Sequence, residues 1–448
     1  MRPGLRAESR PDRAAAAGAL QLHRLRVEEL GPGAAVHRTV TASTVCDVIV
    51  VGGGPAGSTA ATLLRRAGWD VVLCDAARFP RHKICGEYVP PAALRIFERL
   101  GALGAIESLG PLRHVGMAVV SPGGTTVLGR YGGGVRGLSL RRLDLDRALL
   151  DHARQSGVTV LEGARVTGLA RCGGGVFEVA VGGDARAAGP APAAVLRARA
   201  VVGADGRNSL VARRLGLRRT EPRHRKWAVM GHFGGVDVPA GHGEMIVTPY
   251  GYCGINPLPQ GLANVCVVVD HQAIRGAAVG GDRLASFFHD RISAHPLTRQ
   301  RMARAEPVGR LWATGPMACR TARGFADGAV LVGDAAGFYD PFTGEGIAMA
   351  LRGAEMAAEV LSGALRRGDL ASRALEPYEE ARRAAFHARL RLDRSLQALL
   401  KHPRLTDWVA RRLRRDPGLA DLLARVTGDT VDAARLLRPG FMARLLLA

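Results

Sequence analysis

Three groups of residues in this chain have types and spacings suited to chemistry. The first is Gly52-x-Gly54-x-x-Gly57 in "VVGGGPAGSTAATLL", with Asp75 standing 23 positions after Gly52. Glycine at 52 permits a tight turn, glycine at 54 lets backbone approach a pyrophosphate, and glycine at 57 lets a helix lie close against a strand. Pro55 and Ala56 open that helix, whose unpaired N–H groups attract phosphate, and an acidic side chain at 75 is placed for ribose hydroxyls. A glycine-rich turn without a ligand is the plainer reading. It is opposed by the strand before, the helix after and the acid at the end of the next strand. A second match, "GGGVRG" at 132–137, runs into strand-like "LSLRR" instead of a helix and reads as a loop.

The second group is a pair of aspartates that each close an apolar strand: Asp205 in "VVGADGRNSLVARRLG" and Asp334 in "GAVLVGDAAGFYDPFTGEG". Ligands of α/β sheets gather at the carboxyl ends of strands. Gly344-Glu345-Gly346 then opens a long helix whose positive end faces whatever lies beyond Asp334. The third group is "FPRHKICGEYVPP", 79–91, with Cys85 in a Cys-Gly-Glu turn. Two readings stand. Arg81 and Lys83 lower the thiol's pKa and make Cys85 a candidate for catalysis, or Cys85-Gly86 is a small turn that gives a substrate room. Glu87 as a general acid is the weaker candidate, since exposed glutamates are common.

The elements that must position these groups follow from periodicity. Val48–Val51 is a continuous apolar run suited to a parallel strand covered on both faces; a helix follows over 55–66, a stop at Gly68 and a second strand over 71–75. "RRLDLDRALLDHARQSG" reads as a helix, and "DARAAGPAPAA", 184–194, as a hairpin tip. From 226 to about 310 the texture is antiparallel. A buried strand returns at "GAVLVGD", a long helix runs from 345 to 365, and the remainder is helical and basic, with 15 Arg/Lys against 6 Asp over 381–448.

The 448 residues allow two or three domains. The net charge of +22 is carried almost wholly by arginine spread along the chain, with no zinc finger and no basic stripe interleaved with aromatics, so nucleic acid is not the expected partner. Seven cysteines without a CxxC pair point away from a disulfide framework, an iron–sulfur cluster or a metal site, and a reducing cytoplasm is the expected location. No apolar run is long enough to span a bilayer, and residues 1–44 read as a disordered arm.

The three motifs in this order, over about residues 46–370, resemble the FAD-dependent oxidoreductase superfamily of group A flavoprotein monooxygenases, geranylgeranyl reductases and flavin-dependent halogenases. The resemblance implies FAD on Gly52, Gly54, Pro55, Ala56, Gly57 and Asp75, with the adenine near the backbone of Val166. It puts Arg142 beside the cofactor, Asp205 in the binding turn and Asp334 on the ribityl chain. Gly344 and Gly346 then meet the N1 edge of the flavin, where negative charge develops on reduction. The "FPRxKxCGE" loop is most similar to the reductase branch, where a cysteine lies beside the flavin. "YGYCGINPLP" takes the place of the segment lining the substrate, with Tyr250 and Tyr252 as lining residues, and lacks the tryptophans of the halogenase element W-x-W-x-I-P.

The implied fold is α/β: a discontinuous Rossmann-type FAD domain (45–112, 137–225, 305–370), an interleaved antiparallel substrate domain (113–136, 226–304) and C-terminal helices (371–448). The implied activity is oxidation or reduction of a hydrophobic small molecule. Hydroxylation through a C4a-hydroperoxyflavin is the broader label and C=C reduction fed by another donor the alternative; halogenation or a non-catalytic prenyl-binding relative stand behind them. With no second dinucleotide motif, NAD(P)H is expected to dock transiently. The basic tail, ending "FMARLLLA", is a candidate for peripheral contact with anionic membrane.

Overall fold

The computed structural model describes residues 45–182, 194–221, 225–274 and 282–447. The expected arm over 1–44 and hairpin tip around 184–193 lie outside the described residues. In chain order the strands that matter here are β1 (Val45–Val51), β2 (Val71–Asp75), β3 (Thr159–Glu162), β4 (Ala194–Gly203), β5 (Lys226–Gly234), β6 (Gly251–Pro257), β7 (Leu262–Asp270), β8 (Glu306–Thr314) and β9 (Ala329–Leu331). The helices are α1 (Pro55–Arg66), α2 (Arg142–Gln155), α3 (Asp282–Ser293), α4 (Gly346–Arg367), α5 (Ser372–Leu399), α6 (Pro403–Arg415), α7 (Pro417–Thr427) and α8 (Pro439–Leu447).

The apolar run at the start of the chain dictates the first sheet. Alternate side chains of β1 point to opposite faces. Val48 and Val50 join a core with Ala60 and Leu64 of α1 and Ala354 and Leu361 of α4, while Ile49 and Val51 join Phe177, Val201 and Leu331 on the other side. Each such aliphatic side chain contributes about 1.5–3 kcal/mol when fully buried, which is why a strand without polar alternation belongs at the centre. The order is β9–β4–β1–β2–β3, all parallel, with the hairpin Arg165–Arg171/Phe177–Gly182 added antiparallel to β4. This is the Rossmann-type α/β fold, and β1 sits at its middle beside α1.

A second, seven-stranded sheet has the order β8–β5–β7–β6, His242–Thr248, Gly116–Val120, Thr126–Arg130. It is antiparallel except where His242–Thr248 meets Gly116–Val120 in parallel. One face packs Val229, Val265 and Val267 against Phe287 and Phe288 of α3, leaving the other turned to the FAD-type domain. The expected return to the first domain at 305 is displaced, because Ala228–Gly234 of β5 pairs with β8 and keeps residues 306–314 in this sheet. Of the C-terminal helices, α5 packs along α4, and α6 and α7 cover the strand Thr126–Arg130.

Candidate active site

The glycine motif forms a cradle that admits no larger residue at Gly52 or Gly57. A Cβ on Gly52 would sit 2.4 Å from the carbonyl oxygen of Ala204, and one on Gly57 only 1.8 Å from that of Gly52. Gly54 is different: its open side meets only a guanidinium nitrogen of Arg81, 3.6 Å from an added Cβ. Beyond it the first N–H groups of α1, at Ala56 and Gly57, have no intrahelical acceptor. Pro55 occupies the first turn, where its missing N–H costs nothing.

Asp75 stands at the end of β2 and holds the turn. Its Oδ2 accepts from Gly53 N at 2.7 Å and its Oδ1 from Ala77 N at 2.8 Å, with Arg81 3.7 Å away. Arg81 also donates to Asp146 at 3.0 Å, and Asp146 in turn takes both forks of Arg142, at 2.7 and 2.8 Å. Burial works against the charge of Arg142. Asp146 and then Cys85 outweigh it, and the guanidinium is held above the ordinary arginine range. Val166 lies on the hairpin strand opposite Val181 and packs against the core on that side.

The two later aspartates have unspent hydrogen-bonding capacity. Asp205 caps the following helix through Oδ2, which accepts from Leu210 N at 2.6 Å and Val211 N at 3.2 Å, while its Oδ1 is buried with no partner. Asp334 lies in a short turn over Gly333–Ala335, and its carboxylate accepts no hydrogen bond among the described residues. Lys83 faces it from the 79–91 loop; burial pulls that ammonium's pKa down and Asp334 pushes back. Gly344, at φ 72°, leaves no room for a side chain beside Tyr88, and Gly346 begins α4. The cradle, the orphaned Asp205 oxygen and the Asp334 carboxylate, which accepts no hydrogen bond among the described residues, fit a dinucleotide with a polyhydroxyl link, as FAD has.

Cys85 is half-buried beside Arg142, and its sulfur accepts from Glu87 N at 3.4 Å. The turn is gripped from the second sheet. Asn264 Nδ2 donates to Cys85 O and Asn256 Nδ2 to Gly86 O, each at 2.9 Å. These asparagines are directly opposed on β7 and β6, and His232 of β5 is opposed to Asn264 on its other side. Glu87 is the residue they converge on. It is 2% exposed, not a surface acid, and it adopts φ 57°. Its Oε2 accepts from His232 Nε2 at 2.7 Å and Asn264 Nδ2 at 3.0 Å, and its Oε1 from Arg142 N at 2.9 Å.

Between this polar row and the other end of the sheet lies an apolar floor. Ala228, Met245, Cys266 and Val268 cluster there with Ile84, Phe338 and Phe342. At the far end Tyr252, fully enclosed, donates its hydroxyl to Asp340 at 2.7 Å and meets Phe342 edge to face. Tyr250 does not share that position: it packs with the α3 core and donates to the carbonyl of Arg291. A cavity of about 200 Å³ opens beside the floor, lined by His82, Lys83, Ile84, Arg207, Met230, Trp312 and Thr314. The structure thus gathers the glycine cradle, Asp75, Arg142, Asp205, Asp334, Gly344, Gly346 and Cys85 along one path between the two sheets. Sequence reasoning missed His232, Asn256 and Asn264, whose only signal was polarity at alternate positions of otherwise apolar strands, and it expected Glu87 to be exposed.

Residues 45–393 match the family model described as "FAD binding domain". The menaquinone reductase of Mycobacterium tuberculosis is 30% identical, over 86% of this chain and 91% of that protein. The digeranylgeranylglycerophospholipid reductase of Methanoculleus marisnigri is 30% identical, over 76% of this chain and 82% of that protein. Among solved structures, a flavin-dependent brominase superposes with a TM-score of 0.75 at 21% identity, over 89% of this chain and 99% of that one. Since the match spans both sheets and every motif of the cradle, the chain belongs to the FAD-binding-domain family of flavoproteins.

Proposed function

We propose that this FAD-dependent oxidoreductase reduces a carbon–carbon double bond in an extended apolar substrate. The observation that carries the reading is the floor itself. Its members are aliphatic, sulfur-containing or aromatic side chains, and among the described residues the polar groups Glu87–His232 and Asp340–Tyr252–Lys226 stand at its two ends. Apolar contact of this kind aligns a long hydrocarbon without tying up a functional group. The two reductases named above are both named for hydrophobic compounds.

Once bound and reduced by a nicotinamide nucleotide or another two-electron donor, the flavin would supply the hydride. The cradle and Arg81 would hold its phosphates, Asp334 would accept from the ribityl hydroxyls, and the N-terminus of α4 would offset charge at the ring edge. Cys85 neighbours Arg142 and Cys266 of the floor, and in this reading its thiol gives the proton that completes the reduced bond and is reprotonated from solvent. The neighbouring 200 Å³ cavity, with Lys83 and Arg207 as cations and Trp312 as a planar wall, suits transient docking of a nicotinamide nucleotide. A non-catalytic binder would have no need of the intact cradle.

The test is anaerobic. Protein reduced by NADPH, NADH or dithionite is mixed with menaquinone or a polyprenyl lipid, and flavin absorbance and product mass are followed. Reoxidation without oxygen, with a product carrying an added pair of hydrogens, is expected. Reoxidation only on admitting oxygen, with an oxygenated product, would replace this reading by hydroxylation; a halide-dependent product would replace it by halogenation.

A further inference from the structure

Helix α5 carries three buried polar side chains at Arg389, Asp393 and Gln397. Spacing of four residues stacks them on one face, about 6 Å apart at each step. Each is bonded to a different side chain of the segment just before α4. Arg389 Nη1 donates to Glu345 Oε1, Thr343 Oγ1 donates to Asp393 Oδ1 at 3.1 Å, and Gln397 Nε2 donates to Asp340 Oδ1 at 2.9 Å. Helix and segment therefore run in opposite directions, joined by three rungs.

The ladder is anchored at both ends. Arg389 Nη2 donates to Asp429 and Nη1 to the carbonyl of Val426, at the end of α7. At the other end Asp340 accepts from the hydroxyl of Tyr252 and pairs with Lys226 at 3.4 Å, both on the second sheet. Burial pushes Glu345 up to about 8 while Arg389 pulls it down, and burial likewise pushes Asp393 up to about 7. Such groups are costly to enclose, and apolar side chains of similar size would pack α5 at least as stably. What the polar rungs add is one fixed geometry for the segment they grip. That segment contains Gly344 and leads into Gly346, the turn that meets the ring edge.

We propose that this ladder makes the C-terminal helical region part of the cofactor site, with Arg389 a positioning residue that holds the Gly344–Gly346 turn in the conformation that receives the flavin. The inference rests on FAD binding and is independent of which reaction follows; wild-type protein that took up no FAD would remove that premise separately.

Apoprotein is titrated with FAD by fluorescence, and the visible circular dichroism of the bound flavin and the melting temperature of the apoprotein are recorded. Arg389→Met is expected to weaken FAD about 10-fold, from loss of charge-assisted bonds to a buried acid, and to alter the flavin dichroism. Arg389→Lys recovers part of both. Thr343→Val removes the middle rung without touching the arginine and weakens FAD about 3-fold. Leu396→Ala, on the apolar side of α5, is the control: it lowers the melting temperature and leaves affinity and dichroism unchanged. Wild-type affinity and dichroism in both Arg389→Met and Thr343→Val overturn the proposal. So does a loss of FAD in Leu396→Ala equal to that in Arg389→Met. If Arg389→Met does not fold, Thr343→Val decides alone: weakened FAD supports the ladder, unchanged FAD overturns it.

Discussion

The Asp334 carboxylate accepts no hydrogen bond among the described residues and is faced by Lys83, which leaves both oxygens able to accept from a ligand. Its replacement by alanine should leave the fold intact and cost about 1.5–3 kcal/mol of FAD binding, on the order of 10- to 100-fold in Kd, read from flavin retention on gel filtration. Gly54→Val should be more severe, because its branched side chain enters the space between the backbone and Arg81. Cys85→Ser should keep FAD, since the thiol contacts no part of the cradle but Arg142. A fall in the rate of hydrogen transfer from the reduced protein would assign the thiol to proton delivery, and an unchanged rate would leave it a spacer. His114 is a separate residue-scale lever. Burial and then His242 lower its pKa to about 4 from an ordinary 6.5, and it is locked against Ser139. The neutral ring therefore stabilises the fold fully above pH 6.5, and that stability is lost as pH falls toward 4. The loss is on the order of 3 kcal/mol, and His114→Gln should flatten the fall in melting temperature over this window.

At the scale of elements, the row His232–Asn264–Asn256 fixes the cysteine turn from across the interface between the sheets. Asn264→Leu removes bonds to both Cys85 O and Glu87 and leaves the acid underserved, so it should lower stability by about 2–3 kcal/mol in urea unfolding. The contrast with the cradle explains what could be read beforehand. Gly52 was legible because its turn needs φ 106°, Gly57 because a Cβ there would strike the Gly52 carbonyl, and Asp334 because it follows a strand at its carboxyl end. Glu87 and its partners were not, because 145 positions separate it from His232 and 177 from Asn264, and no local pattern names a partner that remote. The two tyrosines show the same limit. Tyr250 and Tyr252 are two apart and were expected side by side, but Tyr250 precedes the strand at Gly251, whose φ of 144° releases it toward α3. The boundary at 305 differs for a related reason: nothing local in β8 names its sheet, and only its pairing with β5 assigns it.

For the whole molecule, the charge of +22 falls heavily on the last helices, and their ends expose apolar side chains. Met442, Leu446 and Leu447 stand out from α8, the last of them 86% exposed, beside exposed Arg435 and Arg438. Among the described residues no helix is long and apolar enough to cross a membrane. A surface of this kind should bind vesicles containing phosphatidylglycerol and release them as salt rises. Sedimentation with such vesicles should detect this, and replacing Leu446 and Leu447 by serine should abolish it; equal binding by that variant would assign attachment elsewhere.

The order in which the chain visits the two sheets also governs when the protein becomes yellow. Val45–Val51 needs Arg197–Gly203 beside it, and the cradle faces Asp334 and Gly346, nearly three hundred residues downstream. A nascent chain emerging from the ribosome therefore exposes its glycine turn long before the opposite wall exists. Flavin loading is therefore expected only after Asp334 and Gly346 have emerged, and chains truncated before Asp334 should be colourless whatever the supply of FAD.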